Sequence, residues 1–267
     1  MIMFKNKIAL ITGSGRGIGA AIALHFANLG ADVVINYFRN PQTATDTAES
    51  IRKLGRKALL VKANMGELED IQHLFDTIEH DFGGLDFYIH NAASGYNRPV
   101  MEQRVKGWEW TMNINARSLL FAAQRAVPLM ENRGGGAIVT ISSPGAGRVL
   151  PDYVVVGASK AALESVTRYL AVELSPKNIV VNAISPGMVL TDALQHFEMV
   201  RSDVHLTEKA VNITPAGRLV SPQDVSGLVA FLCSPEASMI RGQIITMDGG
   251  ASLLAPGLEM LPGSPNE

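Results

Sequence analysis

Cysteine is nearly absent: Cys233 stands alone in 267 residues. No intrachain disulfide or thiolate metal cage can form, which excludes a disulfide-stapled secreted domain. An excess of charge of one sign is also missing. Lys and Arg number 23 against 25 Asp and Glu, a net charge of −2, so no electrostatic footprint for nucleic acid is expected. No apolar run reaches the roughly 18 residues of a membrane-spanning helix, and no membrane partner is expected. Met1 to Lys7 lead directly into a strand-like segment without the charged and apolar regions of a signal peptide, so a cytoplasmic location is expected. The histidines at 25, 73, 80, 90, 196 and 205 form no pair with metal-ligand spacing beside a carboxylate, and no metal is expected. A Gly-x-Ser-x-Gly elbow is missing too, so hydrolase chemistry has no nucleophile.

What is present is an apolar, glycine-rich chain. Hydrophobic residues make up 47% and charged residues 18%, which is too apolar for disorder. Short β-branched runs alternate with helix-length segments. The strands are expected at Ile8–Thr12, Asp32–Tyr37, Lys57–Lys62, Leu85–His90, Gly136–Ser142, Ile179–Ser185 and Gln243–Asp248. Helices are expected at Gly17–Leu29, Pro41–Leu54, Glu67–Phe82, Gly107–Glu131, Ser159–Leu174 and Ser221–Cys233. Such alternation, with nearly continuous apolar strands, predicts a parallel sheet covered by helices on both faces. The class is α/β, a doubly wound seven-stranded sheet in one domain over residues 1–252. Residues 188–214 lack a clear period and read as a substrate lid. Residues 253–267 read as a loosely ordered tail.

The strand ending at Thr12 runs into Gly13-Ser14-Gly15-Arg16-Gly17-Ile18-Gly19 and then a helix. With strand before and helix after, this loop reads as a dinucleotide site of Rossmann type. Gly13 permits the turn, Gly17 admits a pyrophosphate to the helix's free N–H groups, and Gly19 permits close packing. The second strand ends in Asn36-Tyr37-Phe38-Arg39, with no carboxylate to hold a ribose 2′-hydroxyl. Arg39 and Arg16 are cations suited to a 2′-phosphate, which predicts NADPH over NADH.

Taken together, these residues and those further on resemble the short-chain dehydrogenase/reductase family from Lys7 to about Gly250. Thr12, Gly13, Gly17 and Gly19 match its glycine motif. Asn64-Met65 stands at its adenine-side pair, and His90-Asn91-Ala92-Ala93 partly matches its Asn-Asn-Ala-Gly. Asn115, Ser143, and Pro186-Gly187 with Thr191 match further positions, as does Arg241 to Gly250. The resemblance implies a nicotinamide cofactor held by the glycine loop, Arg39, Asn64, Met65, Asn91, Ala92, Lys160, Pro186, Gly187 and Thr191. It also implies a homotetramer built by pairing long helices and last strands.

The family's catalytic Tyr-x-x-x-Lys pair is altered. Lys160 is present, but Val156 stands four residues before it, and the nearest tyrosine, Tyr153, stands seven before it. Seven residues is about two turns, which places Tyr153 either on the same helix face or in the loop before the helix. This spacing resembles the enoyl-acyl-carrier-protein reductases of the family, and the runs Asn91 to Gly95, Trp110 to Asn115 and Tyr153 to Glu164 more closely resemble their type III, NADPH-dependent form. In enoyl reduction the oxygen that gains charge lies two carbons from the hydride acceptor, which suits a more distant hydroxyl. Tyr153 is expected to be the donor to a thioester oxygen, with Lys160, Ser143 and Asn115 completing the catalytic set. Ser143 reads equally as a backbone cap, and Tyr96 is a second candidate at the substrate. Trp108 and Trp110 read as packing residues.

Three functions share these residues. The first is reduction of trans-2-enoyl thioesters in fatty acid biosynthesis. The second is ketone or 3-oxoacyl reduction, or a tailoring reduction in secondary metabolism. The third is non-catalytic NADPH binding, kept open by Val156. For the first, an acyl-carrier protein or other acyl thioester is the expected partner. Its docking edge is expected at Arg98, Arg104 and Lys106, with Arg201 and Lys209 beside the lid.

Overall fold

The computed structural model describes residues 3–191 and 206–254. Seven strands form one parallel sheet: β1 (Ile8–Ile11), β2 (Asp32–Tyr37), β3 (Ala58–Lys62), β4 (Phe87–His90), β5 (Gly136–Ile141), β6 (Ile179–Pro186) and β7 (Ile244–Met247). Their spatial order is β3-β2-β1-β4-β5-β6-β7. The expected architecture is therefore present, with strand ends shifted by at most two residues.

Successive strand residues feed two cores. Ala9 and Ile11 join a cluster with Ile22 and Phe26 of α1 (Gly17–Asn28) and Ala44, Ala48 and Ile51 of α2 (Pro41–Lys53). Ile8 and Leu10 join the opposite cluster, with Ile71, Leu74 and Ile78 of α3 (Leu68–Phe82). Each strand is thus apolar on both faces, which is why these segments read as continuous hydrophobic runs. The chain runs outward from β1 to β3 and then returns to β4 beside β1. That reversal opens a crevice at the carboxyl ends of β1 and β4, where nucleotides bind in such sheets.

Three helices depart from expectation. The segment expected as one helix over Gly107–Glu131 is α4 (Val105–Met112), a π-helical turn (Asn113–Arg117) and α5 (Ser118–Glu131). The π turn adds a residue to the ladder and rotates Asn115 inward. The segment expected from Ser159 is α6 (Val154–Glu173), which starts five residues earlier, directly after Tyr153. Three consecutive valines lead it; Val155 and Val156 are buried, Val156 against Gly95, and that burial overrides their modest helix propensity. Within the expected lid, residues 206–212 form α7 (Leu206–Asn212). Residues 192–205, with Arg201, and the tail from 255 lie outside the described residues. The last helix, α8 (Pro222–Leu232), opens with a capping box between Ser221 and Asp224.

Asp86 ties the lower end of the sheet together. It is 1% exposed, and its carboxylate accepts hydrogen bonds from Ile8 N (3.0 Å), Lys7 Nζ (2.8 Å) and Arg133 Nε (3.2 Å). Removing it orphans the buried Ile8 N–H, while the two partly exposed cations can turn to water. Asp86→Ala is expected to cost about 2 kcal/mol in urea unfolding; a loss below about 0.5 kcal/mol would contradict this role.

Candidate active site

A cleft of about 730 Å³ opens at the crevice between β1 and β4. Its floor is the glycine loop. Gly13 and Gly17 adopt φ of +64° and +57°, and a Cβ on Gly19 would lie 2.5 Å from the Gly13 carbonyl oxygen. Only glycine fits these positions. Thr12 and Asn91 fasten the loop to β4: Thr12 Oγ1 accepts from the backbone N–H of Asn91 and of Ala92 (both 3.0 Å), and Asn91 Nδ2 donates to Thr12 O (2.8 Å). No side chain caps the start of α1, whose N-cap is Arg16, so its first-turn N–H groups remain available for an anion. The cradle fits a dinucleotide pyrophosphate.

Gly13, Arg16, Gly17, Ile18, Gly19, Arg39, Asn64, Met65, Asn91, Ala92, Ser143, Tyr153, Lys160, Pro186, Gly187 and Thr191 all line this cleft. Three expected residues do not. Ser14 is fully buried and donates its hydroxyl to Ile11 O (2.7 Å), so it belongs to the turn. Asn115 is also fully buried; it donates from Nδ2 to Ser94 O and Ser159 Oγ (both 2.9 Å) and accepts from Ser94 N (2.9 Å). It positions α6 against the loop after β4. Tyr96 lines a neighbouring cavity.

Tyr153 is the N-cap residue of α6, between the two placements the spacing allowed. Its ring lies over Gly145, where a Cβ would come within 2.6 Å of two ring carbons. Its hydroxyl lies 3.4 Å from Ser143 Oγ. Burial pushes its pKa up, and the Ser143 contact opposes that only in part, so the phenol stays protonated. Val156, four residues before Lys160, is buried and packed on Gly95, where a Cβ would meet Val156 Cγ2 at 2.2 Å. A methyl group therefore fills the place of the family's usual tyrosine.

Lys160 is 5% exposed and donates from Nζ to Ile141 O (2.6 Å) at the end of β5. Burial lowers its pKa to about 8, against the opposing pull of Glu164. Sequence reasoning missed the network beneath it. Tyr88 Oη donates to His90 Nδ1 (2.8 Å), and His90 Nε2 donates to Asn115 O (3.2 Å). Burial, helped by the nearby Lys160 charge, holds His90 at about 3 and therefore neutral. The signal was the histidine at the first position of His90-Asn91-Ala92-Ala93. Also unforeseen, Trp110 donates to Ser94 Oγ (2.9 Å) and carries the Arg39 guanidinium 5.5 Å above its ring. Trp108 is 45% exposed, so it is not the packing residue expected.

A doubly wound sheet, a glycine cradle and a buried lysine beside a tyrosine and a serine define a dinucleotide-dependent oxidoreductase. A family model described as enoyl-(acyl carrier protein) reductase matches residues 13–252. The chain belongs to the short-chain dehydrogenase/reductase family. It is 35% identical over 252 residues to the 1-cyclohexenylcarbonyl-CoA reductase of Streptomyces collinus, covering 94% of this chain and 89% of that one. It is also 35% identical to the hydroxynaphthalene reductase-like protein Arp2 of Metarhizium robertsii, covering 92% and 95%. Among solved structures, L-sorbose reductase from Gluconobacter frateurii in complex with NADPH and L-sorbose aligns with a TM-score of 0.88 at 31% identity, covering 94% and 98%. A 7α-hydroxysteroid dehydrogenase in complex with NADH and 7-oxo glycochenodeoxycholic acid aligns at 0.86 and 34%, covering 93% and 95%. The protein is a reductase of this family. Among the described residues, no helix is long and apolar enough to cross a membrane.

The depressed lysine sets a pH limit. Above about 8 the Lys160 ammonium loses its proton and its charge, so kcat/KM is expected to fall with rising pH through that value. A flat profile between about pH 7 and 10 would contradict the role of its charge.

Proposed function

We propose that this protein is an NADPH-dependent reductase of α,β-unsaturated acyl thioesters, acting as a tailoring enzyme on a specialised acyl group. The observation that carries the reading is the relocated phenol: Tyr153 is seated on Gly145 ahead of α6, while Val156 closes the ordinary position. The name of the Streptomyces relative points the same way, since it describes a ring double bond next to a thioester carbonyl. These names favour a tailoring reduction over the general enoyl-carrier-protein step of fatty acid biosynthesis.

When bound, the reduced nicotinamide supplies the hydride. Lys160 would hold the cofactor's ribose hydroxyls and keep a positive charge close to the Tyr153 phenol. Tyr153 donates a hydrogen bond to the thioester oxygen as negative charge develops there, and Ser143 Oγ, 3.4 Å from the phenol, orients the same oxygen. Arg16 and Arg39, both lining the cleft, would pair with a 2′-phosphate, which supports NADPH. Exposed apolar residues on α6, Tyr169 at 68% and Val172 at 74%, support assembly as a homotetramer. A cytoplasmic location fits the same reading.

A second reading has its own support. Serine and tyrosine hydroxyls side by side suit a single carbonyl oxygen, and the Metarhizium relative is named for hydroxynaphthalene reduction. Ketone reduction is therefore the alternative chemistry.

The expected result is NADPH oxidation with crotonyl thioester and little with acetoacetyl thioester. Tyr153→Phe should slow the crotonyl reaction by about a hundred-fold. Preference for acetoacetyl thioester would favour the second reading, and near-normal turnover by the variant would reject Tyr153. The double change Arg16→Ala and Arg39→Ala should lower kcat/KM with NADPH by at least about ten-fold and leave that with NADH unchanged. An equal loss with both cofactors would contradict the 2′-phosphate assignment.

A further inference from the structure

Beside the main cleft lies a second cavity of about 360 Å³, a volume typical of small-molecule sites. Four cations line it, Arg39, Arg98, Arg104 and Lys106, together with Tyr96 and Trp110; no carboxylate is among its lining residues. None of the four forms an ion pair among the described residues. A chain of net charge −2 has thus gathered four positive side chains around one hollow. Their summed positive field favours an anion in the hollow. The start of α4 adds to the field: Arg104 is its N-cap residue, and no side chain satisfies its first-turn N–H groups. Tyr96, 50% exposed, supplies a flat apolar face, and Trp110 carries Arg39 over its ring.

The cavity also has a defined relation to the reaction. Arg39 and Trp110 line both hollows. Along the loop after β4, Asn97 lines the main cleft while its neighbours Tyr96 and Arg98 line the second cavity. The loop therefore separates the two hollows.

We propose that this second cavity binds the phosphorylated adenosine end of an acyl coenzyme A, with the pantetheine arm crossing the loop wall into the main cleft. The inference rests on the thioester reading above and assigns its carrier. A purine with a diphosphate and a 3′-phosphate presents several negative charges and one aromatic face, which matches Arg98, Arg104 and Lys106 and the Tyr96 ring, while Arg39 stays with the cofactor. An acidic carrier protein would offer carboxylates but no purine to stack.

The test compares crotonyl-CoA with crotonyl-pantetheine as substrates. It adds calorimetric titration of adenosine 3′,5′-bisphosphate into NADPH-saturated protein. In the triple variant Arg98→Ala, Arg104→Ala, Lys106→Ala, KM for crotonyl-CoA is expected to rise at least about ten-fold, and bisphosphate affinity to fall by a similar factor. Turnover of crotonyl-pantetheine and KM for NADPH should stay within about two-fold, which also verifies folding. The proposal is overturned if the bisphosphate fails to bind, or binds the variant equally well. It is also overturned if NADPH saturation abolishes that binding, since the cations would then serve the cofactor's own phosphate. A KM increase for crotonyl carrier protein without one for crotonyl-CoA assigns the cavity to a protein partner and overturns it too. Bisphosphate binding that the variant weakens, without turnover of any thioester, upholds the nucleotide site and rejects the thioester reading.

Discussion

A desolvated ammonium governs the arrangement of the site. Lys160 is enclosed by α6 and the end of β5, where burial disfavours its charge and the Ile141 carbonyl restores one hydrogen bond at 2.6 Å. The nearest titratable ring adds no second positive charge. In His90 both ring nitrogens are committed, one accepting from Tyr88 and the other donating to Asn115 O, and the ring stays neutral. Glu164, whose carboxylate accepts from Ser142 Oγ (2.6 Å), supplies the compensating negative charge one turn along α6. A hydrogen-bonded series from Ser159 through Asn115 to Ser94 then locks α6 to the loop after β4.

Displacement of the tyrosine is a coupled change, not a lone substitution. Val156 fits only because Gly95 has no side chain, and the Tyr153 ring lies where Gly145 leaves room for it. The helix begins at Val154, so Tyr153 keeps an N-cap backbone (φ −106°, ψ 8°), and its ring can turn toward Ser143. Two glycines and one helix boundary thus seat a tyrosine beside Ser143 without disturbing the sheet.

Much of the fold was legible because the strands are apolar on both faces and the glycine loop has its strand and helix in sequence. The cradle residues Gly13, Gly17 and Gly19 were readable for the same reason: backbone geometry alone demands them. What escaped were consequences of packing. Ser14 sits among cofactor-binding residues in the motif, yet its hydroxyl is consumed by Ile11 O. Asn115 was legible as a site residue, but its burial beneath Ser94 depends on a π turn that no periodicity shows. The start of α6 was placed at Ser159 because the spacing from Tyr153 to Lys160 allowed either helix or loop, and the burial of Val155 and Val156 that favours helix there shows only in the packed structure. Trp110 reads as packing until Arg39, from a distant loop, is seen above it.

A crystal structure of the ternary complex with NADP⁺ and an unreactive enoyl thioester tests the relocated donor most directly. The account predicts the Tyr153 hydroxyl oxygen within about 2.6–3.2 Å of the thioester carbonyl oxygen, over a nicotinamide held beside Lys160. A Tyr153 ring turned to solvent in that complex, with another acid facing the acyl group, would contradict it.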